Sequence, residues 1–186
     1  MKFELTQEIV KELIDYDPET GICRWKERDA KWFDPNGGNP LDQRVKRWNT
    51  RHANAIAGNL CKLKGYRHIM IFAKNYKLHR IIWLWMTGEW PDRVDHINGI
   101  YNDNRWVNLR DVSDQENMKN QKIYKNNTSG VMGVIWRKDT QKWRSIITVD
   151  KQKINLGSYS SYDEAVFVRK EAEIKYGFHE NHGRIL

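Results

Sequence analysis

A chain of 186 residues has room for one medium domain or two small ones, and a formal net charge of +8 with a pI of about 9.4 favours a polyanionic partner. No apolar run is long enough to span a membrane and the N-terminus has no signal-peptide pattern, which predicts a soluble intracellular protein. Cys23 and Cys61 are the only cysteines, which excludes a four-cysteine zinc site and makes a disulfide unexpected in a reducing cytosol.

The positive charge is shared along the chain, with 22 basic against 17 acidic residues in 1–125 and 10 against 7 in 126–186. Neither half is a detachable basic tail.

Thr6 is placed to cap a helix whose apolar positions are Ile9, Val10, Leu13 and Ile14, ending near Asp17-Pro18. Glu19-Thr20-Gly21 then turns the chain into a short strand, Ile22 to Trp25. Residues 29–60 are the least regular part, with turn formers concentrated in 34–40. Arg44, Lys46, Arg47 and Arg51 cluster there with Trp48. They read either as a loop that grips phosphates or as a solvated surface loop.

Tyr66 to Phe72 reads as a strand and Tyr76-Lys77-Leu78 as its hairpin partner. His79-Arg80 opens an apolar helix, Ile81 to Met86, stopped by Thr87-Gly88 and Trp90-Pro91. Its aromatics are core; His79 and Arg80 are either structural or face a phosphate backbone.

The stretch from Val94 to Asn120 concentrates the chemistry. Val94 to Ile97 and Asn108-Leu109-Arg110 form a hairpin around a turn-rich loop, and Ser113 or Asp114 caps a helix starting near Gln115 that carries Asn117. Asp95 and Asn117 offer hard oxygen donors that suit Mg²⁺ or Mn²⁺ rather than zinc. His96 has the side chain whose ordinary pKa lies nearest neutrality, so it can take a proton from water. Asp103 reads as a loop acid that satisfies backbone donors. An Asp-His pair alone also fits a turn-rich hairpin with no chemistry.

The order Asp95-His96, Asn108, Asn117, Asn120 resembles the HNH nucleases, especially the phage and intron homing type, and the run from Tyr76 to Trp83 with Gly-Glu-Trp-Pro resembles the segment before their catalytic hairpin. The resemblance implies a ββα-metal core and phosphodiester hydrolysis giving a 5′ phosphate and a 3′ hydroxyl. It gives His96 the role of base, held by a partner such as the Asn108 side chain or a main-chain carbonyl. It makes Asp95 and Asn117 the metal ligands, with a divalent cation and no structural zinc. Arg110, Lys119 and Lys122 lie close enough in sequence to neutralise flanking phosphates. By the same resemblance the protein works in the cytoplasm of a bacterial host.

Residues 125–130 are polar and turn-like, a boundary between domains at 1–125 and 126–186. Val131 to Arg137, Lys142 to Val149 and Lys153 to Leu156 read as strands. In the second, Trp143, Ser145, Ile147 and Val149 alternate with Arg144, Ile146 and Thr148. Ser161 or Asp163 caps a final helix.

Ser-Gly-Val-x-Gly-Val, Lys-Trp-Arg, Leu-Gly-Ser-Tyr and Tyr-Asp-Glu-Ala-Val resemble the AP2 domain, in which the sheet face opposite the helix lies in the DNA major groove. By position that face holds Ile135, Arg137, Arg144, Ile146, Thr148, Lys153 and Asn155, with Arg137 and Arg144 the best placed to read bases or phosphates and Lys142 and Lys153 on phosphates. Ile135, Ile146 and Asn155 depart from the plant version, so its sequence preference does not carry over.

The expectation is an α+β protein with N-terminal strands and helices, a ββα-metal nuclease core and a C-terminal three-stranded antiparallel sheet plus helix. Its function is a homing-type HNH endonuclease on double-stranded DNA, a monomer that nicks. The alternative is a sequence-specific DNA-binding regulator whose nuclease core is inactive.

Overall fold

The computed structural model of the protein describes residues 4–63 and 65–185, a mixed α and β fold with several small sheets. The chain divides into two compact units, Met1–His96 with Ile100–Asp111, and Ile97–Gly99 with Val112–Leu186. The second unit therefore begins before the boundary expected at 125/126. The reason is a set of backbone hydrogen bonds that tie 119–123 to the end of the chain: His179 N to Lys119 O at 3.1 Å, Gly183 N to Gln121 O at 2.7 Å and Ile123 N to Arg184 O at 3.1 Å.

In the first unit, helix α1 (Gln7–Leu13) starts at Thr6, whose hydroxyl accepts from Ile9 N, and buries Val10 and Leu13. It stops four residues short of the expected end. Ile14–Asp17 is instead strand β1, antiparallel to β2 (Ile22–Trp25), because Ile14 and Tyr16 are buried while Asp15 and Asp17 face out. Period two has overridden the continuation of period 3.6. The Asp17 carboxylate closes the turn by accepting from Glu19 N at 2.9 Å and Thr20 Oγ1 at 2.6 Å.

The expected irregular stretch contains helix α2 (Leu41–His52). The turn formers end at Pro40, and from there the chain is rich in strong helix formers with Asp42 in the first turn.

Strands β3 (Asn59–Leu60), β4 (Arg67–Ile71) and β5 (Lys74–Lys77) make an antiparallel sheet, the last two joined through Phe72 and Ala73 at φ 49° and 59°. Helix α3 (Leu78–Thr87) follows at once and ends at Gly88. Leu78, Ile81, Ile82 and Leu84 pack with Val10, Leu13, Ile14, Ile69 and Ile71 into the core. Beyond it, β6 (Val94–His96) and β7 (Leu109–Asp111) pair in antiparallel register, Asp95 opposite Arg110 and His96 opposite Leu109.

In the second unit, helix α4 (Asp114–Met118) opens with a capping box. Ser113 Oγ accepts from Glu116 N at 3.2 Å, and Glu116 Oε2 accepts from Ser113 N at 2.9 Å. Strands β8 (Val134–Arg137), β9 (Lys142–Val149) and β10 (Gln152–Tyr159) form an antiparallel sheet in the order β10-β9-β8. The first starts later than expected, and the third begins one residue earlier and runs three residues further, through a register shift between Asn155 and Gly157.

Helix α5 (Tyr162–Lys175), capped by Ser161 through Glu164 N, covers the face that holds Val134, Ser145 and Ile147. Its Arg169 is 3% exposed, paired with Glu173 at 3.2 Å and donating to the carbonyls of Met132 and Ile146. No helix among the described residues is long and apolar enough to cross a membrane.

Candidate functional site

Strand β6 is three residues long and buried along its whole length, so Asp95 and His96 are presented from a rigid element rather than a loop. Asp95 Oδ2 accepts from Arg110 Nη2 at 2.9 Å and from Arg110 Nε at 3.3 Å, across the strand pair. Arg110, expected on flanking phosphates, is thus engaged with the acid itself.

His96 is 2% exposed, and its Nε2 lies 3.1 Å from Asn104 Oδ1. With that oxygen accepting from Nε2–H, the basic lone pair falls on Nδ1. Burial pushes the imidazole below the usual histidine range, against the opposing pull of the Asn104 hydrogen bond and the Asp95 charge. A neutral, oriented imidazole at physiological pH can accept a proton.

Asn104, not Asn108, is therefore the side chain on His96 Nε2. The Asn108 amide donates instead to Asp103 O at 2.8 Å and braces the loop. Sequence reasoning gave Asn104 no role. Its placement comes from the distant hairpin β1–β2, which no local pattern announces. Tyr16 Oη donates to Asn104 O at 2.8 Å, and Trp106 N donates to Pro18 O at 2.9 Å. Gly21, at φ +73°, lies so close that a Cβ there would come within 2.5 Å of Arg105 N and 2.6 Å of the Asn104 carbonyl carbon. Asp103 behaves as expected, accepting from the Arg105 backbone and guanidinium.

Aromatic rings surround His96. His79 meets it edge-on at 5.0 Å, and Tyr66, stacked on Tyr101 at 4.4 Å, lies 6.0 Å away. His79 is 3% exposed and held down to about 3, chiefly by burial and then by His96 and the cations Lys77 and Arg80. A ring so buried does not face a phosphate backbone, and the expectation for His79 is corrected on that ground. Burial, with Tyr101 and Asp95 nearby, pushes the Tyr66 phenol up to about 12. Arg80 donates to the carbonyls of Pro91 and Asp92 and fixes the turn that leads into β6.

Asn117 belongs to the second unit, on α4, with its backbone N–H on Ser113 O. Two residues on, the Lys119 ammonium donates to Tyr176 O at 2.8 Å, where it complements the C-terminal end of α5. Its charge is used inside the fold rather than held out for a phosphate. Asn120 Nδ2 and Asn181 Nδ2 both donate to Ile97 O, at 3.3 and 3.1 Å, and Arg184 Nη1 donates to the Asn120 carbonyl at 2.7 Å. Arg184 also lies against Gly99, at φ +73°, where any side chain would collide with its guanidinium. Asn181 and Arg184 were missed, because the segment after α5 carries no periodic signal.

Among the described residues no three His, Cys, Asp or Glu side chains cluster to hold a metal ion. Asp95 offers a hard carboxylate oxygen already oriented by Arg110, a donor type that suits a hydrated divalent cation.

The expected DNA-facing residues of the C-terminal sheet share one face. The register pairs Arg137 with Lys142, Ile135 with Arg144, Ile146 with Asn155 and Thr148 with Lys153, all opposite in phase to buried Ser145 and Ile147. On it Arg137 pairs with Asp139 at 2.7 Å, and Arg144 Nε donates to Asn155 Oδ1 at 3.3 Å. Ile135, Ile146 and Thr148 also line a cleft of about 860 Å³ with Met118 and Tyr124.

Residues 76–119 match the family model of an HNH endonuclease, a segment that contains Asp95, His96, Asn104, Asn108 and Asn117. This segment is similar to the nuclease domain of that family, whose members generally use divalent metal ions. The chain is also 34% identical over 89 residues to Protein 3.8 of Escherichia phage T7, an alignment covering 47% of this chain and 74% of that protein. The chain belongs to the family of that phage protein. No solved structure matches it.

Proposed function

We propose that the protein is a metal-dependent DNA endonuclease of the phage HNH homing type, acting in the cytoplasm of a bacterial host. The observation that carries this reading is His96, buried, neutral and hydrogen-bonded to Asn104 beside Asp95, within the segment that matches the HNH endonucleases.

His96 takes a proton from the water that attacks the phosphorus, and Asn104 keeps the ring in the tautomer that leaves Nδ1 basic. Asp95, with Asn117 as the second ligand that the resemblance names, would hold Mg²⁺ or Mn²⁺, which would supply charge stabilisation at the scissile phosphate and the departing 3′ oxygen. Arg110 holds the Asp95 carboxylate in one orientation. Tyr66 and His79 exclude bulk water from the imidazole.

The sheet β8–β10 selects the site in the manner of an AP2 domain, with Arg137, Arg144, Thr148 and Asn155 toward bases and phosphates, Lys142 and Lys153 on phosphates, and α5 behind. This is supported by the shared face of these residues and by the antiparallel sheet with one covering helix. One nuclease segment per chain makes a monomer that nicks.

Supercoiled plasmid incubated with wild type and His96→Ala, with Mg²⁺ and with EDTA, tests the proposal. Metal-dependent open circles from wild type alone are expected. Binding by both proteins without cutting under any divalent metal would overturn it in favour of a DNA-binding regulator.

A further inference from the structure

Helix α2 buries no residue completely, yet it is firmly attached on one side. Trp48 meets Trp25 edge-on at 5.8 Å, and the Arg28 guanidinium lies over both indoles at 4.0 and 4.9 Å. Asn49 accepts from Arg28 N at 2.9 Å and donates to Arg28 O at 3.1 Å, as a strand partner would. The helix is thereby held in one rotation about its own axis.

The opposite side is charged and open. Gln43, Lys46, Arg47, Thr50 and Arg51 recur at the spacing of one helical face, are all exposed, and together line a shallow concavity of about 550 Å³. Among the described residues no carboxylate pairs with Lys46, Arg47 or Arg51. The helix carries four cations, Arg44 with these three, against one acid, Asp42: a net +3 in 12 residues of a chain whose total is +8. A merely solvated helix face alternates its signs. Here Arg47 and Arg51 stand one turn apart, a like-charge pair that opposes the helix. The arrangement becomes favourable when anions cover it.

We infer that α2 is a second DNA-contact surface, in which Lys46, Arg47 and Arg51 neutralise backbone phosphates of a duplex while Gln43 and Thr50 donate hydrogen bonds to phosphate oxygens. This rests on the reading of the protein as one that acts on duplex DNA. From Gln43 to Arg51 the face runs roughly 12 Å, over which one strand presents about three to four phosphates. The three cations match that number, with the two neutral donors beside them. The contacts position the duplex and are indifferent to sequence.

The full-length protein in EDTA, titrated with a random-sequence duplex of about 30 base pairs between 50 and 200 mM salt, tests this. Relative to wild type, K46Q/R47Q/R51Q should lower the slope of log affinity against log salt by about 2.7, that is about 0.9 for each phosphate lost. K46R/R47K/R51K should keep the wild-type slope, and both variants should keep the wild-type thermal transition, since the three side chains are exposed. A wild-type slope in the neutralised variant overturns the assignment. If the neutralised variant keeps its slope while wild type cuts plasmid, this surface is excluded and the nuclease reading stands. If the slope falls but no protein cuts, the surface stands and the nuclease reading does not.

Discussion

The strand pair β6–β7 and the sheet β8–β10 handle polar side chains in opposite ways. Around the first, Asp95, His96, Asn104 and Asn108 are all buried, each fixed by a named partner: Arg110, Asn104, His96 and the Asp103 carbonyl. On the second, Arg137, Lys142, Thr148 and Lys153 stand exposed on an open face, and only the helix side of the sheet is sealed. Burial strengthens electrostatics and holds geometry, at the expense of desolvating each group. Exposure leaves charges hydrated and mobile, ready for a large partner with its own charges. On the proposed function the first region is a site of chemistry and the second a surface of contact, and the two should fail differently when disturbed.

The largest difference is expected for catalysis. His96→Ala should lower plasmid cleavage by about 10²–10⁴-fold, the usual worth of a general base, while duplex affinity measured in EDTA stays within about threefold. A comparable fall in affinity would show that His96 serves contact and would erase the distinction between the two regions.

Next in size is the support behind His96. Asn104→Ala removes the acceptor on Nε2, and cleavage should fall by about 10–10²-fold with the acid limb of its pH profile displaced, since the hydrogen bond raises the imidazole pKa. Tyr16→Phe loosens the same loop from a distance and should give a smaller loss in the same direction. An unmoved pH profile in Asn104→Ala would mean that the contact is only structural.

That dependence on Tyr16 and Gly21 shows where sequence reading stopped. The strands of the second unit were visible because Lys142 to Val149 alternates well, and α3 because an apolar run ends in Thr87-Gly88. Asp95 and His96 were visible because they are adjacent. Asn104 was not, because its role depends on contacts 83 to 88 residues away in sequence, through Gly21 and Tyr16. Helix α2 was hidden behind the turn formers of 34–40, and its partners Trp25 and Arg28 come from the preceding strand and loop. In both cases tertiary contact, absent from any local window, made the decision.

The buried histidines give a third, graded test. His79 and His182 titrate in the fold at about 3 and about 4, and His96 is also lowered, each chiefly through burial. The unfolded chain takes up these protons near 6.5, so between that pH and the folded values the unfolded state binds more protons. Stability is therefore complete above pH 6.5 and falls as the pH is lowered toward 3. His79→Gln should flatten the fall of Tm between pH 6.5 and 5, before carboxylates titrate. An unchanged slope would show that the ring is reached by water.

The smallest effects belong to the open sheet face. Arg144→Ala removes a charge and its contact with Asn155 but leaves the buried side of β9, Ser145 and Ile147, untouched. Stability should stay within about 0.5 kcal/mol, as for ordinary surface substitutions. Duplex affinity should fall several-fold, with the salt slope lower by about 0.9 if the guanidinium meets a phosphate. If it reads a base, the loss instead depends on the sequence offered, at about 1–3 kcal/mol for the preferred base, and the slope scarcely moves. Comparing Arg144→Ala with Lys153→Ala on one panel of duplexes separates these roles, because a lysine on a phosphate weakens every sequence alike. Equal, sequence-independent losses from both would make the face a second backbone grip and leave target choice to residues outside it.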